Sequence, residues 1–388
     1  MNEENPHLIN QGSYGCIFYP GLSCNNDNKT ESNNITKIQK LKNTSEKETK
    51  IGKKIQKISN YKKYYAPIIN SCEVNISKIE NQEITKCNFI DIDKQEKYLS
   101  NTIPYVGKDT LLDYTVKIIK NQNLFKTILQ QHIKILEGLH KLSKKGIIHL
   151  DLKENNIMVS ENGIPKIIDF GLSFEIQDLE RSKYEEIFFI YSVEYGPWCI
   201  EIVMINYLIH KLKNETITID EIKRIVTEYV NKNNAIVELL TTNEKEELKR
   251  NYIEYFQNII SPKEEMIKTI LKTYVSWDNY SLSVIYLYIL KNLNIELNVE
   301  EADDQLSMYI KILKMCLIND PKKRKEPKET IKEITSLFGN MKRKEYTKMI
   351  EIQNNNIQQN ITKIEKSITE TKIKDINNEK PIYKIILV

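Results

Sequence analysis

The stretch His149-Leu150-Asp151-Leu152-Lys153-Glu154-Asn155-Asn156, followed 18 residues after Asp151 by Asp169-Phe170-Gly171, decides the reading of this chain. Between them lie two short β-prone runs, Ile157-Met158-Val159 and Lys166-Ile167-Ile168, joined across Glu161-Asn162-Gly163. Asn-Gly between such runs is the strongest short hairpin signal, because both residues accept positive φ. The hairpin folds the chain back so that Asn156 and Asp169 converge. Taken singly, Asp151 and Asp169 read as surface carboxylates and Asp-Phe-Gly as a chance triplet. The two motifs in this order around a hairpin do not.

Together they resemble the catalytic loop and the metal-binding motif of the eukaryotic-type protein kinase family. Phosphoryl transfer asks a protein for positioning and charge neutralisation more than for covalent chemistry. The resemblance implies an α+β, bilobal protein-kinase-like fold, with a small β-rich N-lobe over 7–106 and a larger helical C-lobe over 107–338. It implies Asp151 as catalytic base, Asn156 and Asp169 on Mg²⁺, His149 in a structural role, and ATP as phosphoryl donor. Lys153, two residues after the base, follows the serine/threonine pattern and would neutralise the transferred phosphoryl.

Further matches lie outward from this centre. Asn10-Gln11-Gly12-Ser13-Tyr14-Gly15-Cys16-Ile17 resembles the glycine-rich phosphate loop, with Asn10 in place of the first glycine. Gly12 and Gly15 would let backbone N–H groups approach the phosphates, and Tyr14 would cap them. Lys37 is the candidate strand lysine for the α/β-phosphates, with Lys40 and Lys42 as rivals; solvation at the surface is the ordinary fate of any one of them. Glu48 opens Glu-x-x-Ile-Gly-x-x-Ile, on the helical stripe of Ile51 and Ile55, and would pair with that lysine. Ile103-Pro104-Tyr105-Val106-Gly107 resembles the hinge, where Val106 and the carbonyl of Pro104 would hold adenine. Ile17, Ile35 and Met158 would sandwich the base, with Ile35 standing where the family usually has alanine.

Three matches lie far from the nucleotide. Pro197-Trp198-Cys199-Ile200-Glu201 looks like a degenerate end of the activation segment, closed by Glu201. Asp320-Pro321-Lys322-Lys323-Arg324 looks like the loop whose arginine pairs with that glutamate. The helix starting at Trp277-Asp278 would anchor the catalytic loop through Asp278. This set favours a protein substrate over a small molecule or lipid. Leu150 stands where regulated kinases carry the arginine that receives an activation-loop phosphate, which predicts an enzyme independent of such phosphorylation. The 76 residues between Glu201 and Asp278 mark an insertion at about 205–272, and with the AT-rich composition they resemble kinases of large cytoplasmic DNA viruses. Asn10, Leu150, the altered segment end and the insertion also fit the alternative class, a pseudokinase acting as a binding scaffold.

Periodicity and turn residues supply the rest. Ser45 to Ile58 reads as an amphipathic helix, and Leu129, Ile133, Leu136 and Leu139 line one that stops at Gly146. Asp278 to Asn292 is an apolar helix, and another ends near Ile318. The Asn- and Gln-rich stretch within 339–388 reads as a polar tail. With 57 Lys+Arg against 53 Asp+Glu, the surplus of +4 is too thin to imply a nucleic-acid or membrane partner. Six scattered cysteines without metal-ligand spacing predict reduced thiols and a cytoplasmic location, in host cytoplasm or a virion if viral. The acidic start Met1-Asn2-Glu3-Glu4 lacks a signal-peptide pattern, and Leu282 to Leu290 is half of a bilayer span. The expectation is a soluble monomer acting on protein.

Overall fold

The computed structural model describes residues 5–12, 15–22, 30–40, 43–74, 76, 82–88, 90, 97–121, 123–298 and 304–339, with scattered positions between 351 and 366. Ser13, Tyr14, Lys42, part of the Asn-rich stretch near 25–34 and most of the expected tail lie outside the described residues.

The N-terminal part is a sheet with one long helix. Its strands are β1 (His7–Gly12), β2 (Gly15–Tyr19), the short pair β3 (Gly21–Leu22) and β4 (Thr30–Glu31), and β5 (Asn34–Lys40). Helix α1 (Asn43–Gln56) follows, then β6 (Asn70–Val74) and β7 (Tyr98–Pro104). The five-stranded sheet has the order β1-β2-β5-β7-β6, every neighbour antiparallel. One face buries Cys16, Phe18, Ile38, Val74 and Tyr98 in a small core. Ile51 and Ile55, the apolar stripe of α1, and Ile58 just past its end instead join the large core of the helical part. The helix that carries Glu48 is thereby tied to both halves of the molecule.

From Gly107 the chain is mostly helical, and fold class and expected architecture agree. A short strand β8 (Asp109–Thr110) leads into α2 (Leu111–Lys117), started by a Thr110/Asp113 capping box. Helix α3 (Leu124–Ser143) ends three residues before Gly146, whose φ of 68° suits glycine. Strands β9 (Ile147–Ile148), β10 (Ile157–Val159), β11 (Pro165–Ile167) and β12 (Phe174–Glu175) frame the two motifs. After α4 (Tyr184–Ile187) come α5 (Ile200–His210), α6 (Ile219–Lys232), α7 (Asn234–Leu239), α8 (Thr242–Gln257) and α9 (Lys263–Leu271). The block expected to be an insertion is therefore helical, with capping boxes at Thr218/Glu221 and Thr241/Glu244. Helix α10 (Trp277–Asn292) is apolar on every side and buried almost throughout, as a helix at the centre of a core must be. Helix α11 (Gln305–Ile318) packs beside it, and α12 (Pro327–Gly339) packs against α3 and α11.

Two expectations need correction. The β10–β11 connection is not a tight Asn-Gly turn: β10 and β11 pair from Val159↔Pro165, leaving a five-residue loop. Only Gly163 has positive φ (76°), and Ser160 closes the loop by accepting from Gly163 and, through Oγ, from Ile164. The reduced-thiol expectation fails in the sheet. Cys16 and Cys87 form a disulfide across 71 residues, and Cys72 is disulfide-bonded as well; Cys199 and Cys316 are free and buried. Spacing rules for metal ligands could not see a pairing made by a strand and a residue just past a distant 3₁₀ turn (Gln82–Lys86) meeting in one core. Among the described residues no helix is long and apolar enough to cross a membrane.

Candidate active site

The loop after β9 is held in a conformation its residues do not prefer. Leu150 has φ 67° and Asp169 has φ 56°, a region that costs a non-glycine residue about 1–3 kcal/mol. Asp278, at the start of α10, accepts from the N–H groups of His149 (2.9 Å) and Leu150 (3.2 Å). The Trp198 indole N–H donates to the Leu150 carbonyl at 2.9 Å, and Ser173 Oγ donates to that of His149 at 3.1 Å. Burial pushes the Asp278 carboxyl above its ordinary range, against the pull of His149 and those two N–H groups. The His149 ring packs on Phe170 (centroids 5.1 Å) and its Nε2 donates to the Ile168 carbonyl at 3.0 Å. Phe170 is thus fixed between His149 and Tyr65, and the adjoining Asp169 turns away from the core.

Asp169 turns toward Lys37. The Lys37 ammonium lies 3.2 and 3.1 Å from the two Glu48 carboxylate oxygens and 3.4 Å from Asp169 Oδ1. Lys37 reaches this point from β5 and Glu48 from α1, so the contact closes the sheet onto the helix. Gln39 Nε2 completes the Glu48 shell at 3.3 Å. Burial would lower the Lys37 pKa, but attraction from Asp169 and Glu48 outweighs it and the net direction is up. Burial raises the Asp169 carboxyl, yet Lys37, Lys153 and His149 together hold it below the usual carboxylate range. Both groups therefore stay charged at neutral pH. The Asp169 side chain keeps 39% of its surface open to solvent, against 4% for Glu48, so it is the exposed member of the triad.

Asp151 and Asn156 meet on the other side of the motif pair. Asn156 Nδ2 donates to the Asp151 carbonyl (2.8 Å) and to its Oδ2 (3.2 Å). Lys153 Nζ lies 3.5 Å from the same Oδ2. With its nitrogen committed, Asn156 has its side-chain oxygen to offer, which suits a hard cation alongside the Asp169 carboxylate. The residues present therefore fit Mg²⁺.

Sequence reasoning did not find what meets the second oxygen. Tyr195 Oη donates to Asp151 Oδ1 at 2.5 Å. Nor did it find what holds Tyr195. Asn233, fully buried at the N-cap of α7, donates to the carbonyls of Val193 (3.2 Å) and Tyr195 (3.0 Å). The Asn234 N–H donates to Glu194 (3.2 Å), and Tyr229 Oη donates to the Trp198 carbonyl (3.0 Å). No motif carries these contacts; they arise where α6 and α7 pack on residues 193–198.

The expected nucleotide residues are spread as follows. Ile17, Ile35, Pro104, Val106 and Met158 are all half-buried. Ile17 pairs with Lys37 across β2–β5, Ile35 with Ile103 across β5–β7, and Met158 with Thr110 and Lys166. Gly12 pairs with Gly15 at the end of the β1–β2 ladder. A Cβ on Gly15 would stand 2.1 Å from the Ile38 carbonyl oxygen, so packing against β5 already demands glycine there. Arg324 forms a two-pronged ion pair with Glu201 at 2.6 and 3.0 Å, both side chains fully buried.

Comparison with known proteins agrees with this geometry. Residues 9–197 match the protein kinase domain family. The chain is 36% identical over 77 residues to serine/threonine-protein kinase pakG of Dictyostelium discoideum, covering 20% of this chain and 6% of that protein. It is 25% identical over 173 residues to cyclin-dependent kinase 11 of Dictyostelium discoideum (44% of this chain, 40% of that one). It is 26% identical over 170 residues to a "probable cell division protein kinase" of Encephalitozoon cuniculi (44% and 52%). The matched region spans about half or less of each of these relatives. The family match, the serine/threonine kinase relatives and the cleft geometry together support a eukaryotic-type protein kinase.

Proposed function

We propose that this protein is a serine/threonine kinase that transfers the γ-phosphoryl group of ATP to protein hydroxyls. The observation that carries this reading is the Lys37 ammonium lying between Glu48 and Asp169. When bound, Mg²⁺–ATP supplies an electrophilic phosphorus and the metal charge that neutralises its oxygens. Lys37, aimed by Glu48, would bind the α/β-phosphates; Asp169 and the Asn156 oxygen would hold the metal. Lys153 would neutralise the γ-phosphoryl, and Asp151 would take the acceptor proton. Ile17, Ile35 and Met158 would enclose adenine, with Val106 and the Pro104 carbonyl on its edge, below a loop carrying Gly12 and Gly15.

We further propose that the enzyme works without phosphorylation of its activation segment. In place of a phosphate–arginine contact at position 150, residues 193–198 are pinned by Asn233, Asn234 and Tyr229 from the helical block, and by Trp198 on Leu150. Protein as acceptor, a monomeric state, a cytoplasmic or virion location and a viral source complete the proposal. Of these two locations the Cys16–Cys87 disulfide favours the virion over the cytoplasm, since such bonds persist in oxidising surroundings. The test is a Mg²⁺–ATP reaction with a generic basic protein and a peptide library, before and after phosphatase treatment, read by phosphosite mapping. Serine and threonine marks at equal rates support the reading. ATP binding without any transfer would favour the scaffold, and loss of activity after phosphatase would remove the phosphorylation-independent part.

A further inference from the structure

Tyr195 puts a hydroxyl of this chain at the carboxylate that an acceptor hydroxyl must reach. Its Oη donates to Asp151 Oδ1, while Asn156 and Lys153 both engage Oδ2. The 2.5 Å separation is that of a charge-assisted O–H···O⁻ bond, the contact a general base makes with the proton it will remove. The hydroxyl is presented by a fixed backbone. The Tyr195 carbonyl accepts from Asn233, the Glu194 carbonyl accepts from Asn234, and Gly196 passes close to Ala235. The ring is further braced edge-on against Trp198, centroids 5.2 Å apart. Tyr195 is half-buried, so its side chain is not sealed in the core.

We propose that Tyr195 is a phosphorylation site, modified within the same molecule by the active site it touches, a tyrosine acceptor in the enzyme itself beside the serine and threonine acceptors of other proteins; this rests on the kinase reading above. Asp151 takes the Oη proton, the Tyr195 oxygen forms a bond to the γ-phosphorus of ATP, and the bond from that phosphorus to the bridging oxygen breaks. The products are phosphotyrosine and ADP, and Asp151 then returns the proton to solvent. Phosphotyrosine carries about −1.5 to −2 charges at neutral pH, so it cannot keep the bond to Asp151 and leaves the carboxylate.

The test uses the full-length protein, stripped by phosphatase, incubated with Mg²⁺–ATP and digested for mass mapping. The expected result is phosphate on Tyr195, appearing at a first-order rate independent of protein concentration and absent from Asp151→Asn. In a mixture of active protein with isotope-labelled Asp151→Asn protein, the labelled chain stays unmodified at Tyr195. If an added basic protein is phosphorylated while Tyr195 remains unmodified, the proposal falls and the kinase reading survives. A lower kcat for Tyr195→Phe beside an unmodified wild-type Tyr195 would make the hydroxyl a positioning group for Asp151 and likewise overturn it. Phosphate on Tyr195 of the labelled chain would overturn the intramolecular route. No transfer to any acceptor would sink the kinase reading and the proposal together.

Discussion

Replacing Arg324 by Met keeps an apolar stem of similar length and removes the charge that faces Glu201. Both partners are fully excluded from solvent, joined at 2.6 and 3.0 Å, with Tyr252 Oη 3.1 Å from the guanidinium. A buried carboxylate left without its cation costs about 3–5 kcal/mol, far more than loss of an exposed pair. At about 2–4 °C per kcal/mol, the expected fall in Tm is about 6–20 °C, toward the lower end in a chain of this size. Replacing both residues, as Glu201→Gln with Arg324→Met, removes the uncompensated charge and should recover much of that loss. The assay is urea unfolding of the four proteins in a double-mutant cycle. A loss under about 1 kcal/mol for Arg324→Met, or single effects that simply add, would refute the reasoning.

Three other outcomes follow from the same coordinates of charge and burial. Lys37→Met should lower kcat/KM by about 10²–10³-fold in a steady-state phosphotransfer assay, because a preorganised cation is lost where charge is handled; a change under about 10-fold would remove Lys37 from the site. Asn233→Ala should lower kcat while leaving nucleotide affinity, measured by calorimetry, unchanged, since Asn233 holds residues 193–195 and touches no nucleotide residue named above. His132 is fully buried, stacked on Tyr286 and bonded to Tyr309, and burial lowers its pKa to about 3. The unfolded chain takes that proton near pH 6.5, so acidification through the window from 6.5 to 3 favours unfolding, by about 2 kcal/mol at pH 5. The pH 7 to pH 5 change in unfolding free energy, from denaturant curves, should be larger for wild type than for His132→Phe by that amount; parallel changes would contradict it.

The site was legible wherever chemistry fixes spacing along the chain. Glu48 could be placed beside a lysine because helical periodicity puts it on the stripe of Ile51 and Ile55, and the structure brings Lys37 to it. Asp169 and Asn156 were placed near one another because two short strands must pair, although the loop between those strands is wider than Asn-Gly alone suggested. Arg324 and Glu201, 123 residues apart, were linked through the family resemblance and not through any local pattern. What stayed hidden depends on contacts between elements that no local rule connects. Tyr195 is one aromatic among 22 tyrosines, and its role follows only from the packing of α7 against residues 193–196. The Cys16–Cys87 bond has the same origin, since a strand position and a remote turn share a core only after the sheet has formed. Gly15 has a packing reason to be glycine besides the expected phosphate approach, since the Ile38 carbonyl excludes any side chain there.

The most direct measurement compares wild type with Asp151→Asn for transfer of phosphate from Mg²⁺–ATP and for nucleotide affinity, in one buffer. If Asp151 receives the acceptor proton, transfer should fall by about 10²–10⁴-fold while the dissociation constant for the nucleotide stays put. Undiminished transfer by the Asn variant would contradict the account at its centre.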